Sequence, residues 1–178
     1  MKVIRRLIYD FNYVFLNHLV NYIPVWTIRA SVYRVYGMRI GKGARIGIGT
    51  KVIMPGNITL ANRAIVNENC YLDGRGGLEI GEDSSISHGT TIITASHDMN
   101  NNFQFYASGV KIGSHVWVGT KAMILDGSVL EDGCVIGAGS VIKTHTKKKG
   151  VYVGNPAHCI KQRKDELEYK IVFSPFFR

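Results

Sequence analysis

The chain has 178 residues, enough for one domain with a sizeable core plus appendages and too few for two comfortable domains. Its 22 lysines and arginines against 13 aspartates and glutamates give a formal charge of +9 at pH 7, which favours anionic partners such as nucleic acid, anionic lipid or a phosphorylated small molecule. Cys70, Cys134 and Cys159 are odd in number and lack CxxC spacing, which argues against a disulfide framework and for a reducing compartment.

The N-terminus starts MKVIRR and turns apolar with no small-residue cleavage site, so export is not expected. Ile4, Leu7, Ile8, Phe11, Val14 and Phe15 fall on one helical stripe, Pro24 interrupts, and a second helical segment is expected from about Val25 to Tyr36. From Phe11 to Ile28 the only acidic or basic residue is His18, but Asn12, Asn17, Asn21 and Pro24 break the apolar run, which excludes a spanning helix. Two roles are open for residues 1–39. They can cap the open end of the repeat region that begins at Ile40 or make an oligomer contact, the favoured role, or they can lie on a membrane through Lys2, Arg5, Arg6, Arg29, Arg34 and Arg39 with Phe11, Tyr13, Phe15, Tyr22 and Trp26.

Residues 40–147 carry an internal repeat of six. An aliphatic or small apolar residue recurs at Ile40, Ile46, Val52, Ile58, Ala64 and Cys70, restarts at Ile80, Ile86 and Ile92 after a glycine-rich insertion, and returns at Ile112, Val118, Ile124, Leu130, Ile136 and Ile142 after a second insertion, 98–111. Glycine often comes next, as at Gly41, Gly47, Gly81 and Gly119, and a small residue often stands four places on, as at Ala44, Thr50, Ser84 and Ser140. Helices need apolar spacings of three and four and amphipathic strands a spacing of two, so a period of six describes short strands joined by tight corners. Fifteen such units predict about five three-sided coils of a parallel β-helix, with glycine expected where corners need unusual backbone angles. An antiparallel sandwich, whose strands recur at about 8–12 residues, fits the period poorly. Residues 148–178 form a C-terminal segment, with a short charged helix expected over Lys161 to Lys170 and an apolar IVFSPFFR tail expected to pack back on the body or on a partner.

Histidine is the commonest general base near neutrality, and the chain has six. His18 lies in the helical segment, His145 and His158 near or beyond the last coil, and His88 and His115 within coils. His97 ends the unit that starts at Ile92, next to the long insertion, and is expected on a rigid corner where a loop can close a pocket. Asp98 beside it either orients the imidazole or starts the loop. The chain lacks the histidines four residues apart used by zinc sites on β-helices, so no metal is expected. There is no GxSxG, and Cys70 and Cys134 fall at inward or corner positions, which argues against a covalent nucleophile. The lysine cluster Lys147, Lys148 and Lys149 is not an aromatic-studded face, so nucleic acid is not an expected partner.

Three blocks, ITASHD, KIGSHVWVGTKAMILDGSVLEDGCVIGAGSVI and YVGNPAHCIK, make the stretch from Asn67 to Lys161 resemble the hexapeptide-repeat O-acetyltransferases, the group of galactoside, maltose and polysaccharide-biosynthesis acetyltransferases. The resemblance implies an all-β fold, a left-handed parallel β-helix assembled as a homotrimer, with acetyl-CoA as acyl donor lying between adjacent prisms. It implies His97 as catalytic base, and Asn67, with Asp98 beside the base, as acceptor-contacting. It also implies Trp117, Gly119, Thr120 and Ala138 along the cofactor tunnel, and Lys143, His158 and Lys161 near the nucleotide end. The TKD-x-P usual after the last full hexapeptide is replaced here by Lys143, Thr144, His145 and Thr146. The expected activity is O-acetylation, in the cytoplasm or at the inner face of its membrane, of a saccharide used in capsule, O-antigen or exopolysaccharide assembly. N-acetylation of a nucleotide-linked amino sugar and a non-catalytic β-helical scaffold are the alternatives.

Overall fold

The computed structural model describes residues 2–164, 166–173 and 175. Short strands stack into three faces of a prism, of five, seven and five strands. The first face runs from Arg39–Ile40 to Val129–Leu130, the second from Arg45–Ile46 to Val135–Ile136 and on into Gly150–Gly154 and Ala157–Gln162, and the third from Lys51–Ile53 to Val141–Ile142. Coil-to-coil pairing is parallel, and aliphatic residues stack in register: Ile46 on Val66, then Ile86, Val118 and Ile136, none more than 1 % exposed. Each coil buries its apolar face on the next, which is why the six-residue period yields a solenoid. Cys70 and Cys134 are buried, and Cys159 is exposed.

Two details of the repeat differ from expectation. Ile40 pairs with Leu60 and Leu60 with Ile80, twenty residues per coil, whereas an unbroken period needs eighteen. The extra residues enter at one corner, at Pro55–Asn57 and around Gly74 to Gly77. Ala64 and Cys70 therefore sit at the small corner position, like Ala44 and Thr50, and not at the aliphatic one. Both positions are buried, so polarity alone cannot separate them.

The glycine after the aliphatic residue also has another cause. A Cβ on Gly47 would lie 2.5 Å from the Glu68 nitrogen, and one on Gly119 2.5 Å from the Ala138 nitrogen, so these positions exclude side chains because the next coil passes too close. Positive φ falls two residues later, on Gly49 and Gly139 but also on Asn69, Asp83 and His115.

Helix α1 (Lys2–Val14) continues through a π-turn, Phe15–Leu19, and ends before Pro24; α2 spans Trp26–Val35. The first coil would otherwise leave strand edges open. The helical segment supplies one side chain to each face. Asn17 donates to Val52 O (3.0 Å) and accepts from Val52 N (2.6 Å), Arg29 donates to Ile46 O (2.8 Å), and Arg34 donates to Ile40 O (3.2 Å). Leu16, Val20, Trp26, Ala30 and Tyr33 join the core. Among the described residues, no helix is long and apolar enough to cross a membrane.

The expected helix over Lys161 to Lys170 is absent among the described residues. Ala157–Gln162 is a strand paired antiparallel to Gly150–Gly154, so Lys161 and Gln162 are committed to a sheet edge, and Asp165 lies outside the described residues. The chain then runs back across the corners of successive coils. Tyr169 OH donates to His115 O (3.4 Å), Ile171 N to Asp83 Oδ1 (2.7 Å), and Arg45 to Phe173 O (3.5 Å). Of the apolar tail, Ser174 and residues 176–178 lie outside the described residues.

Candidate active site

At the corner that accepts the shorter insertions, the third coil leaves the prism altogether. Strands Ala95–Asp98 and Gln104–Ala107 form an antiparallel hairpin, and Lys111 already belongs to the next coil strand. The expected insertion 98–111 thus starts three residues earlier, and His97 stands on an exposed hairpin strand, not on a corner of the coil. A six-residue count through Ile92 and His97 hides this, because the chain departs from the coil inside that unit.

The hairpin orients the imidazole. His97 Nδ1 lies 2.9 Å from Phe103 O. A carbonyl only accepts, so Nδ1 carries the proton and Nε2 of the neutral ring keeps its lone pair. The ring stacks on Phe103 at 4.2 Å and 7° and meets the edge of Phe105 at 5.6 Å. Phe103 and Asn102 both have left-handed backbones, φ +57° and +51°, uncommon for a bulky side chain and the means by which the Phe103 carbonyl turns back toward His97. Asp98 does not orient the imidazole; its carboxylate accepts from Asn100 N (2.9 Å) and shapes the turn.

Sequence reasoning missed two charged pairs beside the hairpin. Buried Asp73 accepts from Arg75 Nε and Nη2 (both 2.9 Å) and from Thr94 N (3.0 Å), and the Arg75 guanidinium lies 5.9 Å from the Phe105 ring. Burial pushes the Asp73 carboxyl up, but these hydrogen bonds outweigh it and hold the group below the ordinary carboxylate range. Lys143 bonds both Asp126 oxygens (3.0 and 2.9 Å), which raises its ammonium pKa, and sits 6.0 Å from the Tyr106 ring. The available signal was that both insertions come after a third-face strand, which stacks LDGRGG next to ITASHD.

The other candidates gather elsewhere. Trp117 is 53 % exposed on the second face and donates to Ser87 Oγ (3.2 Å). Gly119, Thr120 and Ala138 line the adjoining corner, with Gly139 N donating to Thr120 O (2.9 Å). Asn67 directly follows the strand Ile65–Val66 of the same face two coils earlier, its amide donating to Ile86 O (2.9 Å). His158 and Lys161 lie exposed on the outermost strand of that sheet. One chain therefore brings together Asn67, Trp117, Gly119, Thr120, Ala138, His158 and Lys161 on one face, and His97, Asp98 and Lys143 at the trailing edge of another.

Residues 109–144 match the family model of the bacterial transferase hexapeptide (six repeats). WcaF of Escherichia coli (strain K12), named as a colanic acid biosynthesis acetyltransferase, is 33 % identical over 136 residues, covering 76 % of this chain and 75 % of its own. Among solved structures, a maltose O-acetyltransferase from Clostridium difficile 630 superposes with a TM-score of 0.79 at 26 % identity, over 89 % of this chain and 88 % of its own. A hexapeptide-repeat acetyltransferase of Vibrio cholerae O1, complexed with acetyl coenzyme A, shares the fold at a TM-score of 0.78 and 22 % identity, over 84 % of each chain. The chain belongs to the hexapeptide-repeat acetyltransferase family. It is an acyltransferase.

Proposed function

We propose that the protein transfers the acetyl group of acetyl-CoA to a hydroxyl of a saccharide or saccharide precursor, with His97 as general base. The observation that carries the reading is the Nδ1–Phe103 O contact, which leaves Nε2 as the proton acceptor on an exposed hairpin. Nε2 takes the hydroxyl proton as the hydroxyl oxygen attacks the thioester carbonyl. The tetrahedral intermediate collapses, the C–S bond breaks, and Nε2–H returns the proton to the leaving thiolate. No acyl-enzyme forms. The acetyl-CoA carried by the Vibrio cholerae neighbour and the polysaccharide role in the WcaF name support the donor and acceptor classes.

Trp117, Gly119, Thr120 and Ala138 line the path of the pantetheine arm, with His158 and Lys161 toward the nucleotide. Asn67 and Asp98 flank the acceptor. Because His97 stands on a hairpin that leaves the prism after the third face, whereas the Trp117 strip lies on the second, the proposed working site joins His97 of one chain to the strip of a neighbour in a homotrimer. Phe103 and Phe105, 68 % and 51 % exposed on the hairpin, fit such a contact. Three free thiols and the choice of donor support a cytoplasmic location.

The test is thiol release from acetyl-CoA across a panel of saccharides and amino sugars. Wild type turns over with a hydroxyl acceptor, and His97→Ala falls by roughly 10²–10⁴-fold with its assembly intact. Undiminished turnover in that variant removes His97 from the mechanism, and turnover confined to amino acceptors replaces O- with N-acetylation.

A further inference from the structure

Helix α1 is attached to the body by the wrong side for a capping helix. At 100° per residue, Val3, Ile4, Leu7, Ile8, Phe11 and Val14 share one face of the helix. Packing by the hydrophobic effect would turn that face inward. Instead all six side chains are exposed, from 51 % to 72 %. The opposite, more polar face meets the protein: Tyr36 OH donates to Asn12 Oδ1 (3.0 Å), and Tyr9, Asn12 and Tyr13 line a cleft of about 200 Å³ against Val52 and Pro55. Capping is carried by Asn17, Arg29 and Arg34 further along the chain, so α1 is not needed for it.

We propose that this stripe lies in the interface of an anionic lipid bilayer and makes the enzyme a peripheral membrane protein. A second copy of the chain is the competing occupant, and charge decides between them. Residues 1–39 hold six basic residues, Lys2, Arg5, Arg6, Arg29, Arg34 and Arg39, against the single acid Asp10. Arg5, Arg6, Arg34 and Arg39 are exposed, with Arg5 and Arg6 beyond the two edges of the stripe, toward the face that carries Asn12 and Tyr13. Pairing two such helices gathers like charges, whereas an anionic surface attracts each of them and accepts the apolar side chains between. The 13-residue helix is long enough to lie in the interface and too short to span.

The test is co-sedimentation of the full-length protein with phosphatidylcholine vesicles and with vesicles containing phosphatidylglycerol. The protein pellets with the anionic vesicles, less as salt rises. The double variant Leu7→Asp/Phe11→Asp, at two exposed positions, loses roughly tenfold or more of that binding while thiol release and melting temperature stay unchanged. Equal partitioning of variant and wild type overturns the proposal. So does wild type that stays in the supernatant, or a variant that changes oligomeric state on gel filtration, since a second copy would then be what covers the stripe.

Discussion

In the proposed mechanism, His97 depends on a backbone contact that side-chain chemistry does not reveal. The repeat phase brought His97 to the neighbourhood of the insertion but not onto the hairpin strand Ala95–Asp98, and the ITASHD block suggested its proposed role; the Phe103 carbonyl that fixes the tautomer belongs to the polar loop NNNF, which has no motif. The backbone angle in that loop is open to test. Phe103→Gly keeps the carbonyl and tolerates φ +57°, so it retains most activity. Phe103→Pro forbids that angle and lowers kcat by about 10²-fold, with a melting temperature close to wild type because the hairpin stands clear of the core. Steady-state kinetics of the two variants decide it. The cysteines allow a second check. Burial pushes the Cys70 and Cys134 thiols up to about 11, so both stay protonated and unreactive at neutral pH, whereas Cys159 is exposed. Ellman titration should find one reactive thiol in the folded chain and all three after denaturation.

At the level of elements, the coil was readable because burial repeats with the strand, and the departures from a strict six have physical causes. Aliphatic and small corner positions are equally buried, so a two-residue step at Pro55–Asn57 leaves the polarity pattern intact. Glycines serve two different needs that composition cannot tell apart. Gly47→Ala forces a Cβ into the backbone of the next coil and should cost about 1–3 kcal/mol, while Gly139→Ala meets nothing within 4 Å and pays only the left-handed backbone, about 1–2 kcal/mol; thermal melts should rank them in that order. The C-terminal segment read as helical from its charge, but hydrogen bonds to successive coils hold its described residues against the body without a helix. One of these is acid-sensitive. Hydrogen bonds from the Arg63 guanidinium, joined by Ile171 N–H, hold the Asp83 carboxyl below the ordinary carboxylate range against the opposing effect of burial. A depressed folded pKa stabilises above the unfolded value, about 4, and that stability is lost as pH falls through the folded one. Proteolysis after residue 163 should therefore accelerate below about pH 4, and Asp83→Asn should show the same acceleration at pH 7.

For the whole molecule, a single prism divides the candidate site residues into two groups, which the proposed trimer reunites. The repeat made each group legible separately, since position in a coil determines the face. It could not show that His97 stands apart from the Trp117 strip, because the hairpin carries the base off the prism. In the proposed mechanism, His97 of one chain acts on acetyl-CoA held by the strip of the next. Co-expressing His97→Ala with Ala138→Trp, which fills the exposed corner of the strip, tests it directly. Each variant alone should be nearly inactive in thiol release, whereas every mixed trimer holds one intact site in three, so a 1:1 statistical mixture, homotrimers included, should recover about a quarter of wild-type activity. Mixed trimers that form and remain inactive would contradict a site shared between chains.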